Sequence, residues 1–283
     1  MIANYHTHTL YSDGKGTMQE VIEKAIELKL NSIAFSDHSP LPFETIFSFK
    51  LENIEEYLET YNQLKDKYKD QINLYMSMEV DYIPGISRDF SFNKNEMCTD
   101  FLIGGVHMVK ASNGELWFTD GPDYKVYDQG LKDLFDNDIK KAVRTFYYQT
   151  NEMIENQEFE IIAHFDKIKM HNRNRYFSED EKWYKLLVAE TIELIKQKNL
   201  IVEINTRGLY KKRSDTTFPS PEIIKTLHEL NIPMIVSSDA HLPEELVLGF
   251  DYAENLLKQF GINELAYFDG NEWNLREIQF REN

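Results

Sequence analysis

The chain has 283 residues, a length that single α/β domains, barrels included, commonly reach. It carries 31 Lys and Arg residues against 48 Asp and Glu residues, and the resulting net charge of −17 disfavours long nucleic acids and anionic membranes as partners. The single cysteine, Cys98, excludes an internal disulfide and is typical of a reducing cytoplasm. We find no signal-peptide pattern and no apolar run near the ~18–20 residues of a membrane span, so we expect a cytoplasmic protein.

Short apolar runs alternate with helical patterns along the first half of the chain. The strands expected there are 2–6, 32–36, 73–82 and 101–106. The helices expected there are 18–30, 51–68 and about 138–156. Thr17 is predicted as the N-cap of the first of these helices. The segments 41–50, 84–99 and 108–137 are predicted as loops.

The second half repeats this alternation. The strands expected there are 161–163, 200–204 and 233–237. The helices expected there are 178–198, 221–230 and 243–259, and the tail at 266–270 is compatible with a short strand and a turn. Seven strands alternating with helices predict a parallel α/β fold, and their continuous apolar character is typical of strands covered on both faces.

Both a doubly wound open sheet and a closed TIM-like barrel fit seven parallel strands. In a barrel the carboxyl ends of all strands converge on one face, which is where active sites lie. An open sheet would instead spread the same residues along a line. The polar residues at the strand ends therefore favour the barrel.

Potential metal ligands follow nearly every expected strand. His6 and His8 are one residue apart, so their side chains project to the same side if the strand continues through them. Six of the eight histidines lie at strand ends. The other strand-end candidates are His38, Glu79, His107, His164, Asp239 and His241. Mixed imidazole and carboxylate ligands suit Zn, Fe or Mn, so the clustering predicts metal binding.

Each candidate also has an ordinary structural interpretation. The alternatives are a backbone-bonded loop histidine for His38, an ion pair with Arg88 for Glu79, a fit to tight backbone for His107, a surface pair with Asp166 for His164, and a helix N-cap for Asp239. Their joint occurrence at successive strand ends favours the metal cluster.

An ordered series of motifs resembles that of the PHP (polymerase and histidinol phosphatase) family. The segments are His6-Thr7-His8-Thr9, Ser12-Asp13-Gly14, Asp37-His38, Glu79, Gly105-Val106-His107, Ala163-His164 and Ser238-Asp239-Ala240-His241. The resemblance covers most of the chain and is closest to the stand-alone histidinol-phosphate phosphatases, with less specific support from the segment 203–208. It implies a distorted (β/α)7 barrel and a single metal-dependent phosphoesterase domain over residues 1–283.

The resemblance also implies a cluster of three divalent metal ions. The implied ligand sets are His6, His8, Glu79 and Asp239 for the first ion, Glu79, His107 and His164 for the second, and Asp13, His38 and His241 for the third. The carboxylate shared by the first two sets would bridge their ions. Zinc is the expected metal, with iron or manganese as alternatives.

The chemistry expected at such a cluster is hydrolysis of a phosphate ester by a hydroxide that bridges two metals, since metal binding lowers the pKa of water to about 7. Arg207 directly follows an expected strand, and its planar fork suits phosphate, the alternative being a surface ion pair. Weaker candidates for binding phosphate follow the expected strand 161–163, namely Lys169, Arg173 and Arg175. Asp13 or His241 is expected to assist the leaving alkoxide.

The most specific expectation is hydrolysis of L-histidinol phosphate to L-histidinol and phosphate, a step of histidine biosynthesis, with the substrate ammonium bound by Glu44 or Asp81. The alternatives are a phosphodiesterase or exonuclease acting on nucleotides, a metal-binding domain without catalysis, and amidohydrolase-type cleavage of C–N bonds. The complete ligand set argues against a decayed site. Arg207 favours a phosphate ester over a C–N bond, so the expected partner is a small phosphomonoester.

Overall fold

A computed structural model describes residues 3–121 and 123–280, and within them strands alternate with helices along the chain. The strands are β1 (Ala3–Asn4), β2 (Ser32–Phe35), β3 (Asn73–Met76), β4 (Glu79–Asp81), β5 (Ile103–Gly105), β6 (Met108–Lys110), β7 (Leu116–Phe118), β8 (Ile161–Ile162), β9 (Ile201–Asn205), β10 (Met234–Ser237), β11 (Glu264–Phe268) and β12 (Trp273–Glu277). The helices are α1 (Met18–Glu27), α2 (Ile54–Tyr68), α3 (Phe90–Glu96), α4 (Tyr124–Phe135), α5 (Ile139–Asn156), α6 (Lys182–Gln197), α7 (Arg207–Tyr210), α8 (Pro221–Glu229) and α9 (Phe250–Phe260). Ile2, the first residue of the expected strand 2–6, lies outside the described residues, as do Met1, Pro122 and residues 281–283 of the expected single domain.

The strands of the two larger sheets are all parallel, which confirms the α/β fold. One sheet has the order β1-β2-β3 and the other β10-β9-β8-β5-β4. The segment 73–82, expected as one strand, is divided between them, because β3 pairs with β2 while β4 pairs with β5. Single parallel bridges, His38 to Glu79 and Thr7 to Ala240, also connect the two sheets.

Apolar side chains pack on both sides of the strands. The outer side faces the helices, as in α1, where Val21, Ile22 and Ala25 are buried. The Thr17 side chain accepts a hydrogen bond from the Glu20 N–H, and the Glu20 carboxylate accepts one from the Thr17 N–H. This capping box confirms the predicted N-cap.

A second apolar cluster lies on the opposite face of the strands and contains no helix residue. It joins strand residues to the hairpin of β11 and β12, and its members include Tyr5, Ala34, Tyr75, Ile103, Ile161, Ile201, Ile235 and Phe268. The hairpin is held in place because the Tyr75 hydroxyl donates to the Phe268 carbonyl and the Phe268 N–H donates to the Tyr5 hydroxyl, both at 3.1 Å. None of the described helices has the length and apolarity needed to cross a membrane.

Two expected loops contain regular structure. Helix α3 lies within 84–99, and 108–137 holds the β6–β7 hairpin and α4. The carboxylates of Asp89 and Asp123 cap these helices by accepting from backbone N–H groups. The expected helix 243–259 is interrupted, because Gly249 adopts a positive φ of 79° and α9 begins after it.

Candidate metal centre

The strand-end residues singled out in the sequence converge at one end of the parallel strands. His6 and His8 follow β1, His38 follows β2, Glu79 opens β4, His107 follows β5, His164 follows β8, and Asp239 and His241 follow β10. His164 and Asp239 have positive φ angles of 25° and 52°, a conformation that costs about 1–3 kcal/mol in a residue other than glycine. Such strain is typical of functional sites.

Glu79 is at the centre of this group and faces imidazoles with both carboxylate oxygens. Its Oε2 atom lies 3.1 Å from Nε2 of His6 and 3.4 Å from Nε2 of His8. Its Oε1 atom lies 2.8 Å from Nε2 of His164 and 3.3 Å from Nε2 of His107. Burial opposes ionisation, but the charges of the histidines, His6 first, hold the pKa of Glu79 well below its ordinary value.

Asp239 completes the first of the implied ligand sets. Its Oδ1 atom lies 3.3 Å from Nε2 of His8 and 3.9 Å from Nε2 of His6. The third set lies on the other side of His8, where Oδ1 of Asp13 is 3.1 Å from Nε2 of His241. Ligand atoms of His8, Asp13, His38 and His241 all lie within 4.8 Å of one another. The structure thus places His8 between the first and third sets.

The donor atoms of this cluster fit divalent metal ions. Within the described part of the chain, Nε2 of His6, both ring nitrogens of His8 and Oδ1 of Asp13 are buried without a hydrogen-bond partner. Buried polar atoms are normally hydrogen-bonded, so these converging unpaired atoms point to an absent partner. Nitrogen and oxygen donors in such close groups suit zinc, iron or manganese.

Asp81 is a site residue that the sequence reasoning assigned differently. It lies two residues after Glu79 on β4, and its Oδ2 atom is 3.0 Å from Nδ1 of His38, while Oδ1 contacts Nδ1 of His107. Burial raises the pKa of Asp81, but the charges of His107 and His38 outweigh it and lower the value to about 2. Asp81 therefore orients the rings of His38 and His107 through their Nδ1 atoms. Glu44, the other residue expected to bind the substrate ammonium, is exposed on its loop.

Arg207 lines the cavity above the cluster and is anchored by hydrogen bonds. Its Nη1 atom donates to the Asp239 carbonyl at 2.6 Å and to Nδ1 of His241 at 2.7 Å. Nδ1 of His241 also lies 3.1 Å from the Asp239 carbonyl, and its Nε2 atom faces Asp13.

The lysines of the loop after β8 have contrasting positions. The ammonium of Lys169, an expected phosphate contact, lies 2.7 Å from Oδ2 of Asp166, and Lys169 is not among the described residues lining the cavity. Lys167, which the sequence did not single out, lines the cavity, with Nζ 2.9 Å from Oδ2 of Asp120 and 3.9 Å from Oδ2 of Asp239. Its position in the loop gave no signal to distinguish it from Lys169.

Three other charged residues considered in the sequence have contacts or burial different from those expected: Arg175, Arg88 and Asp166. The Arg175 guanidinium makes a two-point ion pair with Asp128, at 2.7 and 2.8 Å. Arg88 packs over the ring of Phe92, 4.5 Å from its centroid, on the exposed surface. Asp166 is fully buried, so it does not form the surface pair considered for His164.

A cavity of about 390 Å³ opens over the cluster. Its floor includes Glu79 and Asp239, and its walls bring the apolar Phe47, Phe118 and Phe218 opposite them. The rings of Phe47 and Phe118 are stacked, with centroids 5.9 Å apart. The cavity is also lined by the cations Lys167 and Arg207, and cations beside aromatic rings suit a small anionic molecule with an apolar or aromatic portion.

Known proteins resemble this chain over most of its length. The "PHP domain" family matches residues 4–207. The "Probable histidinol-phosphatase" of Deinococcus radiodurans is 24% identical over 256 residues, 89% of this chain and 90% of the relative. The "Histidinol-phosphatase" of Lactococcus lactis subsp. lactis is 25% identical over 277 residues, 94% of each chain.

A crystal structure shows the same fold. It is the histidinol phosphate phosphatase of Lactococcus lactis subsp. lactis complexed with zinc, L-histidinol and phosphate. It superposes with a TM-score of 0.68 at 22% identity, covering 96% of this chain and 98% of that one. Because the family match spans well over half of the residues, the chain belongs to the PHP domain family.

Proposed function

We propose that this protein is a metal-dependent phosphomonoester hydrolase whose substrate is L-histidinol phosphate. The observation that carries the proposal is the buried Glu79 carboxylate, set between two pairs of imidazoles beneath a cavity that Arg207 and Lys167 line. The substrate identity is supported by the relatives named histidinol-phosphatase, which align over most of this chain. The aromatic walls of the cavity are compatible with an imidazole ring.

The proposal includes the architecture that carries the site. In it, seven parallel strands close into a distorted (β/α)7 barrel, with β3 and β4 as two halves of one strand, and residues 1–283 form a single PHP-type domain. The bridges from His38 to Glu79 and from Thr7 to Ala240 support closure. A cytoplasmic setting is supported by Cys98, which is an exposed free thiol.

Three divalent ions, zinc in the first instance, form part of the proposal. The ligands would be His6, His8, Glu79 and Asp239 for one ion, Glu79, His107 and His164 for another, and Asp13, His38 and His241 for the third. When bound, such ions supply Lewis acidity and activate water at neutral pH. Glu79 links the first two ligand sets, because Oε2 faces His6 and His8 while Oε1 faces His107 and His164. Oε2 also lies 3.4 Å from Nδ1 of His38.

Positive side chains at the cavity wall would bind the phosphate. Arg207 is fixed there by its bonds to Asp239 and His241, and Lys167 is fixed by its ion pair with Asp120. Both bring local positive charge to a strongly acidic chain, which an anionic substrate requires. Lys169 is left out of the proposed contact because, among the described residues, it does not line the cavity.

Asp13 and His241 would serve the leaving group. Nε2 of His241 lies 3.1 Å from Oδ1 of Asp13, and both residues line the cavity. In its protonated form, either side chain would give a proton to the departing alkoxide. A side chain in this role would not at the same time be a ligand of the third ion, because the same atom cannot bind a proton and a metal.

A substrate panel tests the proposal. The purified, zinc-loaded chain would be assayed for phosphate release from L-histidinol phosphate, from generic phosphomonoesters and from short oligonucleotides. We expect kcat/KM to be highest for L-histidinol phosphate. Cleavage of oligonucleotides without phosphate release from L-histidinol phosphate would replace the proposal with the nuclease alternative.

A further inference from the structure

Glu203 is a buried carboxylate on β9, beneath the candidate metal centre, and it accepts four hydrogen bonds. Its Oε1 atom accepts from Nδ1 of His6, at 2.6 Å, and from the Ser237 hydroxyl. Its Oε2 atom accepts from the His164 N–H at 3.0 Å and from Nδ2 of Asn205 at 3.2 Å. One side chain thus contacts ligand residues from both sets that share Glu79.

Two of the four groups that donate to Glu203 could also accept a hydrogen bond, and the other two could not. The His164 N–H can only donate, and so can Nδ2 of Asn205, whose amide orientation is fixed because its Oδ1 accepts from the Arg207 N–H at 2.9 Å. Ser237 and Nδ1 of His6 can each donate or accept. The carboxylate of Glu203 can therefore determine the position of a proton only on the two groups that contact Oε1, which are His6 and Ser237.

We infer that Glu203 is the positioning residue that fixes the tautomer of His6 and thereby makes its Nε2 atom a metal ligand. An acceptor at Nδ1 keeps the ring proton on that nitrogen and leaves Nε2 with a free lone pair. That atom lies 3.1 Å from Oε2 of Glu79 and, among the described residues, has no hydrogen-bond partner. This inference rests on the proposed metal-dependent function and adds a residue outside the implied ligand sets.

The substitution Glu203→Gln isolates this role because it preserves the volume of the side chain. The amide NH2 group cannot face the His164 N–H and Asn205, since donors would then oppose donors. It must face Ser237 and Nδ1 of His6, which then have to accept. His6 would consequently carry its proton on Nε2, at the position where the metal binds.

The first experiment measures metal binding rather than activity. Zinc per chain and zinc affinity, by chelator competition, would be compared for the wild type, Glu203→Gln and Asp166→Asn. Asp166 is a matched control, because it is equally buried but bonds to Lys169 and to the Ser220 N–H. We expect Glu203→Gln to weaken the affinity for at least one zinc ion by about 10–100-fold. Asp166→Asn is expected to lose fold stability, because its ion pair with Lys169 is broken, but to keep the zinc content and affinity of the wild type while folded.

Equal zinc content and affinity in folded Glu203→Gln and in the wild type would overturn the inference. If Glu203→Gln does not fold, the inference is tested on the wild type by NMR of the zinc-loaded protein with ¹⁵N-labelled histidine. The inference requires a proton on Nδ1 of His6 and zinc on its Nε2 atom. Zinc on Nδ1, or a proton on Nε2, would overturn the inference while leaving the proposed hydrolase intact. A wild type that binds no zinc would overturn both.

Discussion

Oε1 of Glu79 lies 2.8 Å from Nε2 of His164, with both side chains buried. The other oxygen of the same carboxylate faces His6 and His8. A buried carboxylate between imidazoles on two sides is arranged to serve two ligand sets at once. Glu79 is therefore the side chain that the first two proposed ligand sets share.

Glu79→Gln replaces this shared carboxylate with a neutral amide of the same size. We expect the variant to lose at least one metal ion per chain and to lower kcat by about 100-fold or more, because the negative charge that two proposed ligand sets share is removed. Metal analysis and phosphate release measure these effects, with the exposed Glu59→Gln as control. A Glu79→Gln protein with full metal content would remove Glu79 from the ligand sets.

Arg207→Ala tests the phosphate contact. We expect KM for a phosphomonoester to rise about 10–100-fold, the effect of losing hydrogen bonds to a charged group, with unchanged metal content. Arg175→Ala is the matched control, because its guanidinium is paired with Asp128. Unaltered KM in Arg207→Ala, or equal effects in the two variants, would contradict the assignment.

Lys167→Met is expected to lower activity, whereas Lys169→Met is expected to lower fold stability. Lys167 lines the cavity, so its loss should lower kcat/KM by about 10–100-fold. Lys169 pairs with the buried Asp166, so its loss should destabilise the fold by about 3–5 kcal/mol and leave kcat/KM of the folded protein unchanged. Chemical denaturation and steady-state kinetics separate the two effects. A large kcat/KM effect confined to Lys169→Met would reverse the assignment.

The pair of Asp128 and Arg175 predicts a pH dependence away from the site. Hydrogen bonding to Arg175 holds the pKa of Asp128 below its ordinary value. The pair therefore stabilises the fold above the unfolded pKa, about 4, and this contribution disappears as the pH falls through the lower, folded value. Because both groups are partly exposed, we expect Asp128→Asn to cost no more than about 1 kcal/mol at pH 7.

Urea denaturation of the wild type and Asp128→Asn at pH 7 and pH 3 measures that contribution. The difference in unfolding free energy should shrink at the lower pH. A difference that grows on acidification would mean that Asp128 is stabilised in its protonated form, contrary to the geometry of its ion pair.

The convergence of the strand-end residues could be predicted from the sequence because it follows from the topology of parallel strands. Parallel strands end on one face, so residues following apolar runs, such as His107 and His164, could be expected to meet. The residues behind the ligands were harder to interpret. Asp81 lies two residues after Glu79 on β4, so the alternation of a strand places both side chains on the same face. Its contacts with His38 and His107 could not be predicted in this way, because they depend on where β2 and β5 end.

Local detail was least predictable in the loops. Lys167 and Lys169 occupy one turn of 3-10 helix, and only the packing around that turn decides which ammonium reaches the cavity. Helix α4 carries buried Tyr127, Leu131 and Phe135 at four-residue spacing, a helical stripe that was missed within a segment interpreted as a long loop.

The most direct measurement of the central claim is phosphate release from L-histidinol phosphate by one preparation in three states: as metal-loaded protein, after chelator treatment, and after zinc is restored. We expect turnover in the first state, loss of at least about 100-fold in the second, and recovery in the third. Turnover that persists in chelated protein shown to be metal-free, or no turnover of L-histidinol phosphate in the zinc-restored protein, would contradict the account.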